Sequence, residues 1–290
     1  MSDVDGAQVL GEAAAAYRLA FGERLLAAYA LGSLAHGGFS PLVSDIDLGL
    51  IVSDPLRPGD ARTIRAVADS QKRKAPPLHE RLSVFWGTPA TLRGEEAGGR
   101  FPAVDRLDLI ENGRLLNGSE DVRRSLPRPT ADELLTSGAE FALDHLAGRQ
   151  RAGSPAARLL RWMRRARQDA IQEIGSPDLL VGRGMNRVTK LVLFPVRFLY
   201  TATTGRVGTN DAAVTHYLKE RRAPSQTLVA AALAWRSAPP PEQAVASELL
   251  SEELLPLYLY YIDDHIARLD SLAEAELAGA FRGWRDRLAP

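Results

Sequence analysis

The chain has 290 residues, enough for two domains of ordinary size, and the composition of a globular protein. Lys plus Arg and Asp plus Glu both number 36, so no overall charge attracts the protein to nucleic acid or to an anionic membrane. The absence of cysteine excludes disulfides and thiolate metal sites, and the five histidines lack a zinc-binding spacing. We expect a cytoplasmic protein, because the N-terminus has neither a basic region nor a long apolar stretch. We also expect a monomer.

The first predicted elements alternate between helix and strand. Apolar periodicity predicts an amphipathic helix over about residues 6–25, a strand over Ala28–Leu31 and a helix that begins at Ser33. A central strand is predicted over Asp45–Val52, followed by a polar helix over about residues 60–73.

The pattern continues with strands. A third strand is predicted over Arg81–Trp86. The two short apolar runs Leu107–Ile110 and Arg114–Leu116 are predicted to be strands joined by a hairpin turn at Asn112-Gly113. The first part of the chain is therefore expected to contain both helices and a sheet.

Residues after 126 show a different pattern. Helical periodicity with many Ala, Leu and Arg residues predicts helices, among them an arginine-dense helix over Arg158–Arg167. We therefore predict an α+β chain. Its N-terminal domain, residues 1–126, would carry a small mixed sheet, and its C-terminal domain, residues 127–290, would be an all-α helical bundle.

The most informative feature is a turn followed by two acids. Leu31, Gly32 and Ser33 end an apolar run, and Asp45 and Asp47 follow after eleven intervening residues. Two acids at this spacing on a strand point to the same face, with Cα atoms about 6.6 Å apart, so they can share a cation such as Mg2+. The glycine lets the backbone approach a phosphate, to which the serine hydroxyl can donate.

This order and spacing, Leu31-Gly32-Ser33 and then Asp45-Ile46-Asp47-Leu48, resembles the signature of the DNA polymerase beta-like nucleotidyltransferase superfamily. The resemblance implies an enzyme in which two Mg2+ ions grip a nucleoside triphosphate while an acceptor hydroxyl attacks the α-phosphorus and pyrophosphate leaves. It implies that Asp45 and Asp47 bind the ions and that Gly32 and Ser33 bind the nucleotide phosphates.

The superfamily usually has a third carboxylate on the next strand, as a metal ligand or as the general base. The simplest register places Arg81 at that position, and Glu80 lies one residue away. Glu80 is therefore the candidate base, and its alternative is an exposed acid at the strand end paired with Arg81. Asp105 and Asp108, expected to precede or enter a later strand, are lesser candidates.

Two segments resemble a narrower family, the aminoglycoside adenylyltransferases that act on streptomycin and spectinomycin. They are Leu193–Asp211 and the interdomain segment of residues 113–134. The resemblance implies that Arg197 contacts the nucleotide phosphates. Asn210 replaces a second basic residue of those enzymes, although Arg206 is nearby.

A cationic stripe supports the same interpretation independently. Arg187, Lys190 and Arg197 lie with Phe194 on one side of an otherwise apolar predicted helix. The stripe either faces solvent or lines a cleft between the two domains, where it would neutralise a triphosphate. We favour the second alternative, because the rest of this helix is apolar.

The leading hypothesis is an adenylyltransferase that uses ATP and Mg2+ to modify a hydroxyl of a small-molecule acceptor, best an aminoglycoside-like antibiotic. Two alternatives remain. One is a protein-modifying nucleotidyltransferase of toxin-antitoxin type, and the other is a catalytically degenerate nucleotide-binding protein, which is favoured by Arg81.

Acids among the tyrosines of the last helices would bind the polycationic acceptor, or else they are ordinary surface acids. These acids are Glu248, Glu252, Glu253, Asp263 and Asp264.

Overall fold

The structure is a computed structural model that describes residues 3–74, 77–147, 171–240 and 242–289. The chain forms two compact units, residues 1–129 and 130–290. The predicted arginine-dense helix Arg158–Arg167 lies outside the described residues.

The first unit contains a four-stranded sheet with helices on both faces. Its strands are β1 (Leu25–Leu31), β2 (Ile46–Val52), β3 (Leu82–Gly87) and β4 (Arg114–Gly118). Its helices are α1 (Asp3–Phe21), α2 (Ser33–His36), α3 (Asp60–Lys72), α4 (Pro89–Arg93), α5 (Ala103–Asn112) and α6 (Asp121–Arg124), with 3₁₀ turns at Gly22–Arg24 and Pro77–Arg81.

The strands run in the order β3-β2-β1-β4. Strand β1 is antiparallel to β2 and to β4, whereas β2 and β3 are parallel and are connected through α3. Leu31, the last residue of β1, pairs with Asp47, and Asp47 pairs with Ser83 on β3. The end of β1 therefore lies beside the polar start of β2.

The two faces of the sheet are buried by different helices. Ile46, Leu48 and Leu50 of β2 pack in the same cluster as residues of α1 and α3. Ile51 packs on the opposite side with Leu109 of α5. Because side chains alternate along a strand, Asp47 lies on the face that α5 covers.

One prediction in this unit is wrong. Residues Leu107–Ile110 belong to helix α5 and not to a strand, and Gly113 ends that helix by donating its N–H to the carbonyls of Asp108 and Leu109. A short apolar run does not distinguish a buried helical turn from a strand, and an Asn-Gly pair suits a helix end as well as a hairpin. Strand β4 pairs instead with β1.

In the described residues of the second unit, the regular secondary structure is all helical. Tyr258, which is fully buried, donates its hydroxyl to the carbonyl of Leu191 at 2.9 Å and packs against Trp284. The predicted α+β fold class is thus confirmed. The helices are α7 (Ala131–His145), α8 (Pro177–Gly182), α9 (Met185–Thr204), α10 (Asn210–Tyr217), α11 (Gln226–Ala234), α12 (Gln243–Ser271) and α13 (Ala275–Leu288).

Membrane-spanning helices were sought along the described ranges. None of the helices there combines the length and the apolar character that a membrane crossing requires.

Candidate active site

The turn after β1 is built around Gly32. This residue has φ 61° and ψ −150°, a backbone conformation that is open essentially only to glycine. Its carbonyl accepts the N–H groups of Ala35 and His36, which closes the short helix α2. Ser33 is the first residue of that helix, where backbone N–H groups have no acceptor within the helix. The turn therefore presents donors at Ser33.

Asp47 lies directly against this glycine. Leu31 pairs with Asp47 across the antiparallel strands, so the next residue, Gly32, meets the Asp47 side chain. A Cβ atom added to Gly32 would clash with the Asp47 Oδ2. The carboxylate thus fills the space that any other residue at position 32 would need. The predicted turn and the predicted acid are adjacent in space.

Asp45 and Asp47 suit a hard divalent cation. Asp47 is on β2, Asp45 immediately precedes it, and both side chains are half-buried. Over the described ranges there is no group of three or more His, Asp or Glu residues that could hold a metal ion. Two carboxylates fit Mg2+ whose remaining ligands are phosphate oxygens and water, because Mg2+ usually binds proteins through one or two carboxylates in this way.

Asp108 also reaches the turn. Its Oδ2 accepts the backbone N–H of Gly32 at 2.6 Å, and its Oδ1 accepts the Asn112 side-chain amide at 2.9 Å. Asp108 is 7% exposed and lies on α5, so its predicted place at a later strand is wrong. Asp108 and Asn112 are neighbours on one helix face, so their spacing indicates their mutual contact once the segment is known to be a helix, but it does not indicate the contact with Gly32.

Glu80 and Arg81 precede β3 in the 3₁₀ turn. The Glu80 side chain is exposed, and Arg81 donates its Nη1 to the carbonyl of Pro41 at 2.8 Å. In the parallel register it is Ser83 that stands beside Asp47, and the β3 sequence, LSVFWG, contains no acid. The strand itself therefore supplies no third carboxylate.

The cations of α9 have separate surroundings. Arg187 donates its Nε to the Glu173 Oε2 at 2.8 Å and forms an ion pair through Nη2 at 2.7 Å. The Glu173 side chain is only 3% exposed, so Arg187 compensates a buried negative charge. Lys190 is half-buried. Arg197 donates its Nε to the carbonyl of Gly208 at 2.5 Å.

A further cation, Arg236, was missed by the sequence analysis. Burial lowers the pKa of the Arg236 guanidinium, the positive charge of Arg197 lowers it further, and Asp211 opposes these effects. Arg236 therefore lies near both the positive charge of Arg197 and the negative charge of Asp211. No sequence pattern indicates the pair of Arg197 and Arg236, because Arg236 follows α11, far along the chain from α9.

Comparisons with known proteins identify the fold. No protein-family model and no curated protein matches the chain. It is similar to the crystal structure of spectinomycin adenyltransferase AAD(9) from Enterococcus faecialis with ATP and spectinomycin, at 12% identity over 87% of this chain and 98% of that chain, with a TM-score of 0.51. The chain has a nucleotidyltransferase fold. The predicted resemblance is confirmed at the level of the fold.

In this nucleotidyltransferase fold, three of the five acids of the helical part that were considered for an acceptor contact neighbouring residues. Glu253 accepts the backbone N–H of Leu228 at 2.8 Å. Asp263 pairs with Arg285 at 2.6 Å, and Asp264 pairs with Arg268 at 2.8 Å. These three acids therefore already stabilise the helical unit.

Proposed function

We propose that the protein is a Mg2+-dependent nucleotidyltransferase that transfers AMP from ATP to a hydroxyl of a small molecule and releases pyrophosphate. The observation that carries this proposal is the Asp47 carboxylate packed against Gly32, which joins a metal-binding acid to a phosphate-binding turn. An aminoglycoside-like antibiotic is the proposed acceptor class. The structurally similar enzyme was crystallised with ATP and spectinomycin, which supports both the donor and this class of acceptor.

In the first unit each residue has a distinct role. Asp45 and Asp47 would hold two Mg2+ ions, which neutralise charge on the triphosphate. The Ser33 hydroxyl and N–H donate to phosphate oxygens, while Gly32 leaves room for the Asp47 carboxylate. The acceptor oxygen bonds to the α-phosphorus and the bond to the β-phosphate oxygen breaks. Glu80, exposed ahead of β3, takes the proton of the acceptor hydroxyl.

In the second unit the proposal assigns phosphate binding to cations. Lys190 lies on the same helix as Arg197, and Arg236 is near enough to Arg197 for their charges to interact. A nucleotide phosphate that binds there would accept charge-assisted hydrogen bonds from these cations. Arg187 was predicted to join this group, but its contact with the buried Glu173 gives it a competing structural role.

Pyrophosphate release tests the proposal directly. The purified protein would be incubated with Mg2+, ATP and a panel of aminoglycosides and aminocyclitols, with mass detection of an adenylyl adduct. We expect pyrophosphate release only with an acceptor, together with an adduct of that acceptor. Label transfer from ATP onto a protein would instead support the protein-modifying alternative. Pyrophosphate release without any adduct would contradict acceptor adenylylation.

The catalytically degenerate alternative has one observation in its favour, namely that β3 carries no acid beside Asp47. The variant Glu80→Gln separates the two candidates. If Glu80 is the base, kcat falls about a hundredfold while the Kd of Mg-ATP is unchanged, because the base acts only on the acceptor. Calorimetric binding of Mg-ATP without turnover against the whole panel would establish the degenerate candidate.

A further inference from the structure

Asp108 is held at both of its carboxylate oxygens. Oδ2 accepts the Gly32 N–H at 2.6 Å, and Oδ1 accepts the Asn112 amide at 2.9 Å. The residue is 7% exposed. A hydrogen bond from a backbone N–H to an ionised carboxylate is roughly twice as strong as one between neutral groups. The Asp108 side chain therefore connects helix α5 to the turn after β1.

Gly32 is consequently fixed from two directions. Its N–H is donated to Asp108 on α5, and the space where its Cβ would be is filled by the Asp47 carboxylate on β2. Its φ of 61° and ψ of −150° persist only where the surroundings impose them. Rotation of this peptide would break the bond to Asp108 and would change the space available to Asp47.

We propose that Asp108 is a positioning residue for the metal-nucleotide site, which rests on the function proposed above. By holding the Gly32 peptide, it keeps the Asp47 carboxylate in place and leaves the Ser33 donors for the phosphate. Its negative charge next to Gly32 also disfavours nucleotide that carries no metal. The role is positioning and not ligation, because both carboxylate oxygens of Asp108 already accept hydrogen bonds, one from the Gly32 N–H and one from the Asn112 amide.

The hydrogen bond between the Gly32 N–H and Asp108 can be tested without measuring enzymatic activity. Labelling leucine carbonyls with 13C and glycine amides with 15N selects the three Leu-Gly pairs of the chain, Leu10-Gly11, Leu31-Gly32 and Leu48-Gly49. In Asp108→Asn we expect the Gly32 amide proton signal to move upfield, because a neutral amide oxygen accepts more weakly. The Gly11 signal serves as the control. An unchanged Gly32 signal would overturn the contact and the proposal with it.

The consequence is tested by calorimetry of ATP binding with Mg2+ and with EDTA. In Asp108→Asn the Asp47 carboxylate is less firmly positioned, which weakens Mg-ATP binding. The variant also lacks the negative charge of Asp108, which strengthens the binding of metal-free ATP, so both effects lower the preference for Mg-ATP. We expect that preference to fall about tenfold in Asp108→Asn, which corresponds to about 1.4 kcal/mol. A smaller fall is expected in Asn112→Ala, which retains the carboxylate and serves if the first variant folds poorly.

Glu111→Gln is the matched control, because Glu111 lies on the same helix and pairs with Arg128. It should bind both forms of ATP as the wild type does. A folded Asp108→Asn variant with the wild-type preference would overturn the role of Asp108 alone. A wild-type protein without any preference for Mg-ATP would overturn the proposed function as well, so the two failures are distinguishable.

Discussion

The turn of the first unit and the cationic helix of the second differ in how their residues acquire partners. Gly32 and Asp47 come together because strand pairing places Leu31 opposite Asp47. The cations of α9 share a helix but not an environment, because Arg187 meets Glu173 and Arg197 meets Gly208. Sheet register converts spacing directly into proximity, whereas a helical stripe fixes only a face and leaves the partners to other elements.

The largest effect is expected from a substitution that removes the negative charge of Asp47, which lies against the turn. In Asp47→Asn, kcat should fall about a thousandfold or more, because the amide is a poor ligand for the cation that neutralises the triphosphate. The thermal midpoint should remain near the wild-type value, since Asp47 is half-buried and its shape is retained. Steady-state pyrophosphate release and thermal unfolding are the measurements.

Wild-type turnover in Asp47→Asn would contradict the proposal that Asp47 and the Gly32-Ser33 turn form the metal and phosphate site. The pairing of β1 and β2 would then stabilise the sheet without building an active site, and the first unit would no longer differ from the second in this respect.

A second substitution acts on the same carboxylate through the backbone. In Gly32→Ala the new methyl group clashes with the Asp47 Oδ2 at a φ of 61°, so both the carboxylate and the turn must shift. We expect kcat/KM to fall about a hundredfold and the free energy of unfolding to fall by about 1–3 kcal/mol. Kinetics and denaturant unfolding measure the two effects.

Gly37→Ala is its matched control. Gly37 also has a positive φ, 92°, but a Cβ there meets nothing within 4 Å. It should lose stability without a comparable loss of activity. Equal losses of kcat/KM in the two variants would show that backbone strain, and not the contact with Asp47, is responsible.

The sequence predicted the parts of this site that depend on local spacing and on strand pairing. The Gly32-Ser33 turn and the Asp47 strand are examples, since both follow from short patterns with one common structural solution. The contact between Asp108 and Gly32 was out of reach because it depends on α5, which the sequence analysis took for a strand. Arg236 was missed for a similar reason, since only tertiary packing brings it to Arg197.

Two variants in the second unit test whether Arg197 of the cationic stripe binds phosphate while Arg187 of the same stripe stabilises the fold. Arg197→Gln should weaken Mg-ATP binding about tenfold, because a charge-assisted contact to phosphate is lost. Arg187→Gln should lower the free energy of unfolding by about 2 kcal/mol, less than for a fully buried pair because the Arg187 side chain is 30% exposed. Calorimetry and denaturant unfolding distinguish these effects.

Each of these variants is the control for the other. If Arg187→Gln weakens Mg-ATP binding as much as Arg197→Gln does and leaves stability unchanged, the stripe acts as one phosphate-binding group. The contrast between the two units would then disappear, because the helical spacing alone would have predicted the site.

The smallest expected effect is the loss of folding stability at low pH, which should occur in different pH ranges in the two units. His265 on α12 is 1% exposed, with its Nδ1 3.2 Å from the Asp264 Oδ2 and its ring stacked on Phe281. Burial lowers the pKa of His265 from its ordinary 6.5, whereas the Asp264 carboxylate opposes that shift. In the first unit, hydrogen bonds from Gln8, Lys74 and His79 lower the pKa of Glu12 from 4.5 to about 2.

The two shifts act in different pH ranges. Below pH 6.5 the unfolded chain protonates His265 before the folded one does, so stability falls as the pH drops from there to the folded pKa. The stability from Glu12 is lost only between pH 4.5 and about 2. Thermal unfolding from about pH 8 to about pH 5 should therefore show a loss that His265→Phe reduces. An equal loss in that variant would assign the acid response to groups other than His265.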